Sequence, residues 1–370
     1  MKGVTRVHCI IFTPFICYSA SELTLKNSEI LLHYTLDPAD LQEMMVYIPL
    51  SMDYNNVANK HRIEKWSIFM NLYNELCSIT GEKNVLRDEP MSGHTTFRIG
   101  GPADYLVMPS SAGEIRKITA LCAEREIPYY IIGNGSNLLV GDKGYRGVII
   151  QVFKNMRDIE TDGEVIRAQA GALLSKVAAA AYEAGLEGFE FASGIPGTLG
   201  GAVRMNAGAY GGEIRQVLKS AEVLTPEGEV LTLPVEEMKM GYRTSIVSKM
   251  DYVVLGAELA LRKGEKEKIR AKMDELKEKR VSKQPLEFGS AGSTFKRPEG
   301  YFAGKLIEDA GLRGFRVGNA QVSEKHCGFV INRGGATAQE VMELMETIVR
   351  RVEENSGVRL EPEVKRIGEF

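Results

Sequence analysis

From position 70 onward the chain alternates helical and strand-like hydrophobic patterns. Leu72, Tyr73, Leu76 and Ile79 recur at helical spacing and Gly81 follows them, which predicts a helix with a glycine stop. Residues 112–126 predict an amphipathic helix with Ile115, Ile118, Leu121 and Cys122 on one face. The apolar run IPYYII at 127–132 predicts a strand, and strand-like stretches follow at 138–140 and 147–152. A second helix is predicted over 173–184, stopped by Gly185, with strands over 220–224, 229–233 and 252–261. Residues 266–280 predict a charged helix whose apolar stripe is Ile269, Met273 and Leu276. Thr337 and Glu340 stand at capping-box spacing ahead of Val341, Leu344, Met345, Ile348 and Val352. Gly357 ends that helix and a strand-like tail closes the chain. Helices mixed among many strands, without an internal repeat, give an α+β reading.

Residues 1–69 differ. They are poor in glycine, show no clear periodicity and hold no motif that can be tied to chemistry. Lys2 and Arg6 precede the apolar patch HCIIFTPFICYSA, a faint export-signal layout that Pro14 breaks. The expectation is an N-terminal extension outside the catalytic fold. The preferred account is an upstream stretch translated from an early assigned start codon, and the alternative is a genuine appendage.

Charge and cysteine usage narrow the function classes. Lys and Arg number 46 against 49 Asp and Glu, a formal net charge of −3, so no basic face for nucleic acid is implied. The five cysteines form no CxxC pair and the five histidines no metal-binding spacing, which argues against a metal and fits a reducing, cytoplasmic setting. No apolar run approaches the ~18 residues of a membrane span.

The chemistry points to two glycine loops. Gly133, Asn134, Gly135, Ser136 and Asn137 directly follow the predicted IPYYII strand. Glycines there let successive amides converge on a phosphate. The spacing is that of neither a dinucleotide GxGxxG nor a P-loop, and a plain tight turn fits as well. The second loop, IPGTLGGAVRMNAGAYGGEI at 195–214, is glycine-dense throughout. Such density disfavours regular helix or strand and fits a backbone cradle for a diphosphate and a ring system, against an elaborate surface loop as the alternative.

These loops, together with TTFRIGGPADY at 95–105, resemble the UDP-N-acetylenolpyruvoylglucosamine reductase family. The similarity continues through GYRTS (241–245), GSAGSTFKRP (289–298), AGKLIEDAGLRG (303–314) and LEPEV (360–364), in the family's order over residues 70–370. The resemblance implies a two-part vanillyl-alcohol-oxidase-like (PCMH-type) FAD-binding region, residues 70–152 and 153–283. It also implies an α+β substrate-binding domain, residues 284–370, whose last strand returns to the FAD region. A chain beginning at Met70 is therefore expected to keep cofactor and activity.

The resemblance further implies NADPH-dependent reduction of an enolpyruvyl UDP-sugar through FAD, a cytoplasmic step of peptidoglycan synthesis. No metal, membrane or obligatory protein partner is expected. FAD would be held by both loops, with Arg98, Pro196, Gly197, Gly200, Gly201, Asn206, Ala207, Gly208 and Ala209 contributing. Arg243 would clamp the substrate carboxylate, Glu363 would assist its oxygens, and Ser293 would protonate the α-carbon. Lys283, Arg297 and Lys305 would meet the substrate. On residues alone, Arg243 reads as a surface or ion-paired arginine, Ser293 as a loop serine, and Glu361 and Glu363 as solvated. Arg243 and Ser293 are fifty positions apart with no tyrosine between Tyr252 and Tyr301. That matches the family's shorter subtype, without the tyrosine lid; Arg297 stands where the longer subtype has Asn.

Overall fold

The computed structural model describes residues 72–370, preceded by the strands Ile10–Thr13, Ile16–Lys26, Glu29–Tyr34 and Met44–Pro49. Those four pair in order as an antiparallel sheet, an arrangement not foreseen from the aperiodic residues 1–69. Chain contacts divide the molecule into Met1–Leu72 and Tyr73–Phe370. The site lies wholly in the second unit.

The first helix, α1 (72–80), stops where predicted: Gly81 has φ 84° and its N–H closes on Cys77 O at 2.7 Å. A four-stranded sheet follows, built from β1 (Val85–Pro90), β2 (Pro102–Val107), β3 (Tyr129–Ile132) and a later strand. Helix α2 (Ala112–Glu124) packs Ile115, Ile118 and Cys122 inward, with Leu121 only partly covered. After β3 come β4 (Leu138–Val140) and β5 (Tyr145–Gln151). The sheet order is β1-β2-β5-β3, with β5 parallel to both neighbours. Parallel strands bury both faces, which is why β5 reads as the continuous apolar run Val148, Ile149, Ile150.

The second sheet is antiparallel. It contains β6 (Ile159–Asp162), β7 (Val165–Gln169), β8 (Leu218–Leu224), β9 (Val230–Pro234) and β10 (Val253–Ala260), in the order β6-β7-β10-β8-β9. The predicted helix at 173–184 is α3 (Leu174–Glu183), ended by Gly185 at φ 66°. One expectation fails here. Inside the glycine-dense run lies a helix, α4 (Leu199–Met205), whose Leu199, Ala202 and Val203 are buried in the largest core. Burial of that face outweighs the ~1 kcal/mol helical penalty of each glycine.

The charged helix is α5 (Lys266–Lys283), with Ile269 and Leu276 buried. Beyond it, α6 (Ala303–Asp309) and the three-stranded sheet β11 (Arg316–Val317), β12 (Ala320–Val322) and β13 (Val330–Asn332) pack with α7 (Ala338–Ser356) around a separate core. The capping box at Thr337 and Glu340 is formed, and Gly357 at φ 70° ends α7. The tail strand β14 (Lys365–Ile367) turns back to pair in parallel with β4, Lys365 opposite Leu138. This pairing brings Glu363 beside the first glycine loop.

Candidate active site

Arg243 and Tyr242 project from a two-residue turn closed by Gly241 and Thr244, whose N–H groups reach each other's carbonyls at 3.0 and 3.3 Å. Arg243 itself has φ 55°, a left-handed conformation that costs a side-chain-bearing residue energy. Its Nε donates to Glu363 Oε1 at 2.7 Å, across 120 positions of sequence. Tyr242 supports the guanidinium from its own side, with the ring centroid 5.0 Å from Cζ.

Glu363 is held by its backbone. Its N–H donates to Thr294 O at 2.9 Å and its carbonyl accepts from Asn137 Nδ2 at 3.3 Å. The first glycine loop is thus tied to the carboxylate's own strand. Burial pushes the Glu363 carboxyl pKa up, and Arg243 opposes this without cancelling it. Glu361, two residues earlier, is exposed and pairs with Lys296 instead.

Ser293 stands next to Thr294, which is locked on three sides. Thr294 N–H donates to Gly328 O, its Oγ1 accepts from Val330 N–H, and its carbonyl accepts from Glu363 N–H, each at 2.9 Å. The Ser293 side chain is exposed to the cavity and meets no protein partner among the described residues. Arg243, Ser293 and Glu363 line one cavity of about 360 Å³.

The rest of that wall is cationic. Arg297, Lys305, Arg313 and Lys325 line it with Arg243, against the carboxylates of Glu308 and Glu363. Arg297 lies 4.0 Å over the Phe302 ring and donates its backbone N–H to the Tyr242 hydroxyl at 3.0 Å. Lys305 pairs with Asp309 at 2.5 Å, an exposed bond that an anion can exchange at little cost. Lys283 does not line the cavity; it lies close enough to His326, which does, to help lower that imidazole's pKa behind the larger effect of burial. His326 and Tyr242 are wall residues that the sequence reading did not select. Tyr242 had a signal in its place beside Arg243, whereas nothing local marked His326.

The two glycine loops face each other. A Cβ on Gly133 would fall 2.1 Å from Thr198 Oγ1, one on Gly197 would fall 3.4 Å from Ser136 Oγ, and Asn134 Nδ2 donates to Pro196 O at 3.3 Å. Gly135 has φ 59°, and a Cβ there would strike His94 O at 2.1 Å, so only glycine fits. The amides of Asn134, Gly135 and Ser136 have no protein acceptor among the described residues. Gly200 is buried against Ala170, while Gly201 is exposed and a Cβ on it would meet only Thr198 Oγ1 at 3.9 Å.

Asn206, also left-handed at φ 45°, spends its side chain on the protein. Its Nδ2 donates to Glu213 Oε2 at 2.8 Å and Gly241 O at 3.1 Å, and its Oδ1 accepts from Arg215 N–H at 3.0 Å. It therefore staples the second glycine loop to the Arg243 turn. Ala207 is buried, and Gly208 and Ala209 pair with Glu213 and Gly212 in a small hairpin. Arg98 is exposed, at φ 57°, and outside the cavity wall; its carbonyl accepts from Asn332 Nδ2 at 3.3 Å.

Among the described residues no His, Cys, Asp or Glu group gathers as metal ligands, and no helix is long and apolar enough to cross a membrane.

Two family profiles match the chain. One, described as an FAD binding domain, covers residues 103–234; the other, the C-terminal domain of UDP-N-acetylenolpyruvoylglucosamine reductase, covers residues 284–367. The reductase of that name from Agathobacter rectalis is 55% identical over 298 residues, covering 77% of this chain and 95% of the relative. The one from Clostridioides difficile is 51% identical, covering 80% and 98%. The crystal structure of UDP-N-acetylenolpyruvylglucosamine reductase from Thermus caldophilus superposes with a TM-score of 0.65 at 36% identity, over 76% of this chain and 98% of that one.

Proposed function

The chain belongs to the UDP-N-acetylenolpyruvoylglucosamine reductase family, and from that premise we propose that it reduces the enolpyruvyl ether of a UDP-sugar with electrons from NADPH passed through bound FAD, in the cytoplasmic stage of peptidoglycan synthesis. The observation that carries the proposal is the convergence of Arg243, Ser293 and Glu363 on one cavity, with Glu363 bonded to the loop of Asn137. Three residues far apart in sequence, individually unremarkable, supply a carboxylate clamp, an acid and a hydroxyl.

The residues present fit FAD. Two apposed loops offer unpaired amides and positions where only glycine avoids a clash, the arrangement a diphosphate and a flat ring need. Asn134, Gly135, Ser136, Gly197 and Gly201 would hold it. When bound, FAD supplies hydride transfer between NADPH and the substrate double bond. NADPH and the nucleotide would use the same cleft in turn.

The protein's own part follows from its geometry. Glu363 takes Arg243 Nε, which leaves the two Nη groups, without partners among the described residues, to grip the substrate carboxylate. Charge that develops on that carboxylate and its α-carbon is met by this fixed cation. Glu363 in its protonated form adds a donor to the same oxygens, and burial favours that form. The Ser293 hydroxyl passes its proton to the α-carbon and recovers one from water at the open side of the cavity. Arg297, Lys305 and, from farther out, Lys283 would attract the diphosphate. The domain limits we propose are residues 70–152 and 153–283 for FAD and 284–370 for substrate, with 1–69 outside the catalytic fold.

Two measurements test this reading. Denaturing the pure protein should release FAD, identified by chromatography; release of FMN alone would contradict a two-loop dinucleotide cradle. Anaerobically, the enolpyruvyl nucleotide should restore oxidised-flavin absorbance to protein reduced by NADPH. A flavin enzyme for alcohols or hydroxy acids would instead be bleached by its own substrate and ignore this one.

The raised Glu363 pKa gives a pH prediction. The neutral carboxyl is present below its folded pKa, which lies above the ordinary ~4.3 of glutamate. Flavin reoxidation by substrate should therefore fall as pH rises through that value, and Glu363→Gln should remove this limb. Linkage has the same sign: the carboxyl's contribution to stability is complete below the unfolded pKa and is lost as pH rises through the folded one. A reoxidation rate that instead rises through this range would show that Glu363 works as the carboxylate.

A further inference from the structure

A left-handed residue at the tip of a two-residue turn has to be held there. Arg243, at φ 55°, is such a residue, and the aim of its side chain depends on what grips the two ends of its turn. One element grips both. At the leading end Gly241 O accepts from Asn206 Nδ2 at 3.1 Å, and at the trailing end Ser245 Oγ donates to Arg204 O at 2.6 Å. Arg204 lies in the last turn of α4, and Asn206 is the residue that ends that helix.

Both holds are buried and firm. Asn206 is only 1% exposed; it donates both amide hydrogens, to Gly241 O and Glu213 Oε2, while its oxygen accepts from Arg215 N–H. Two acceptors on one side and a donor on the other fix which end of the amide is which. Glu213 is itself anchored by Arg215 Nε, so the far end of the hold does not swing. The backbone of Asn206, at φ 45°, is one that asparagine tolerates better than most side chains. Ser245 is fully buried. Burial leaves neither side chain a surface through which to touch cofactor or substrate, and breaking hydrogen bonds in such places is costly.

We infer that Asn206 and Ser245 are positioning residues, a buried clamp at the end of α4 that aims the Arg243 guanidinium at the substrate carboxylate. This rests on the role given to Arg243 above. The resemblance placed Asn206 among the cofactor residues, whereas its side-chain bonds assign it to the substrate half of the reaction. With the clamp released, the turn relaxes toward ordinary φ and the guanidinium drifts from its bond to Glu363, so its two-pronged face no longer meets the carboxylate squarely. A misplacement of about 1 Å is enough to cost up to ~10²-fold in rate. Reduction of the flavin by NADPH makes no use of that grip.

The test uses flavin-loaded wild-type protein, Asn206→Gly and Ser245→Ala, each variant also combined with Arg243→Met. Glycine keeps the left-handed backbone at 206 while removing the side chain, and alanine at 245 removes the second tie without touching the glycine loop. Stopped-flow absorbance follows flavin reduction by NADPH and reoxidation by the enolpyruvyl nucleotide, and titration of flavin-stripped protein gives FAD affinity. Each single change should slow reoxidation by ~10-fold or more, with reduction and FAD affinity close to wild type. In the Arg243→Met background neither should slow it much further, because the group being aimed is gone. Losses that multiply with Arg243→Met would overturn the inference, as would equal slowing of both half-reactions or a Ser245→Ala protein that is reoxidised at the normal rate. Weakened FAD binding as the main effect of Asn206→Gly would make Asn206 a residue of the cofactor loop, with the same consequence. Wild-type flavin that the nucleotide fails to reoxidise would instead overturn the proposed function on which the inference rests.

Discussion

Ser293→Ala should leave reduction of FAD by NADPH near its normal rate while flavin reoxidation by the enolpyruvyl nucleotide slows by ~10²-fold or more, the usual contribution of a positioned general acid. The expectation of a clean split comes from how the residue is held. Thr294, not Ser293, carries the hydrogen bonds that fix this loop to Gly328, Val330 and Glu363, so removing the neighbouring hydroxyl breaks no hydrogen bond among the described residues. Stopped-flow absorbance reads both steps on one sample. Equal slowing of the two would make Ser293 a structural or cofactor contact.

Arg243→Met should lower kcat/KM by ~10²–10³-fold, the scale of losing one preorganised charge at a developing anion. Two effects act together. The substrate carboxylate loses its clamp, and the buried Glu363 carboxyl loses the cation that opposes its desolvation, so it titrates still higher. Arg243→Lys should recover little, because one ammonium cannot both bond Glu363 and present a two-pronged face to the substrate. Combined with Ser293→Ala, the losses should be well short of multiplicative, since both residues serve one intermediate. Fully multiplicative losses would mean that the two act on separate steps.

Much of the fold was legible because its longer elements carry strong local signals. The capping box at Thr337, the glycine stops at 81, 185 and 357, and the stripe of α5 were all readable from spacing. Short elements were not. Helices α4 and α6 are seven residues each, too short for periodicity to register, and α4 hides among glycines that argue locally against helix. Strands β6 and β7 mix exposed charged positions with only two buried ones, which leaves too weak an alternation to predict a strand.

The site divides the same way. Motifs marked Arg243, Ser293 and Glu363, but their meeting depends on β14 returning to β4 and on the bridge between Phe295 and Pro362. Such pairings join segments far apart in the chain and leave no local trace. Asn206 shows the opposite case. It sits inside the glycine motif, yet its side chain serves the protein, joining that loop to the turn that presents Arg243.

The most direct test of the whole account is NADPH consumption by the purified protein with the enolpyruvyl UDP-sugar, with the product weighed by mass spectrometry. The account predicts that NADPH oxidation requires the nucleotide, proceeds one for one with it, and yields a product heavier by two hydrogens. NADPH oxidation that is indifferent to the nucleotide, with the nucleotide recovered unchanged, would contradict it.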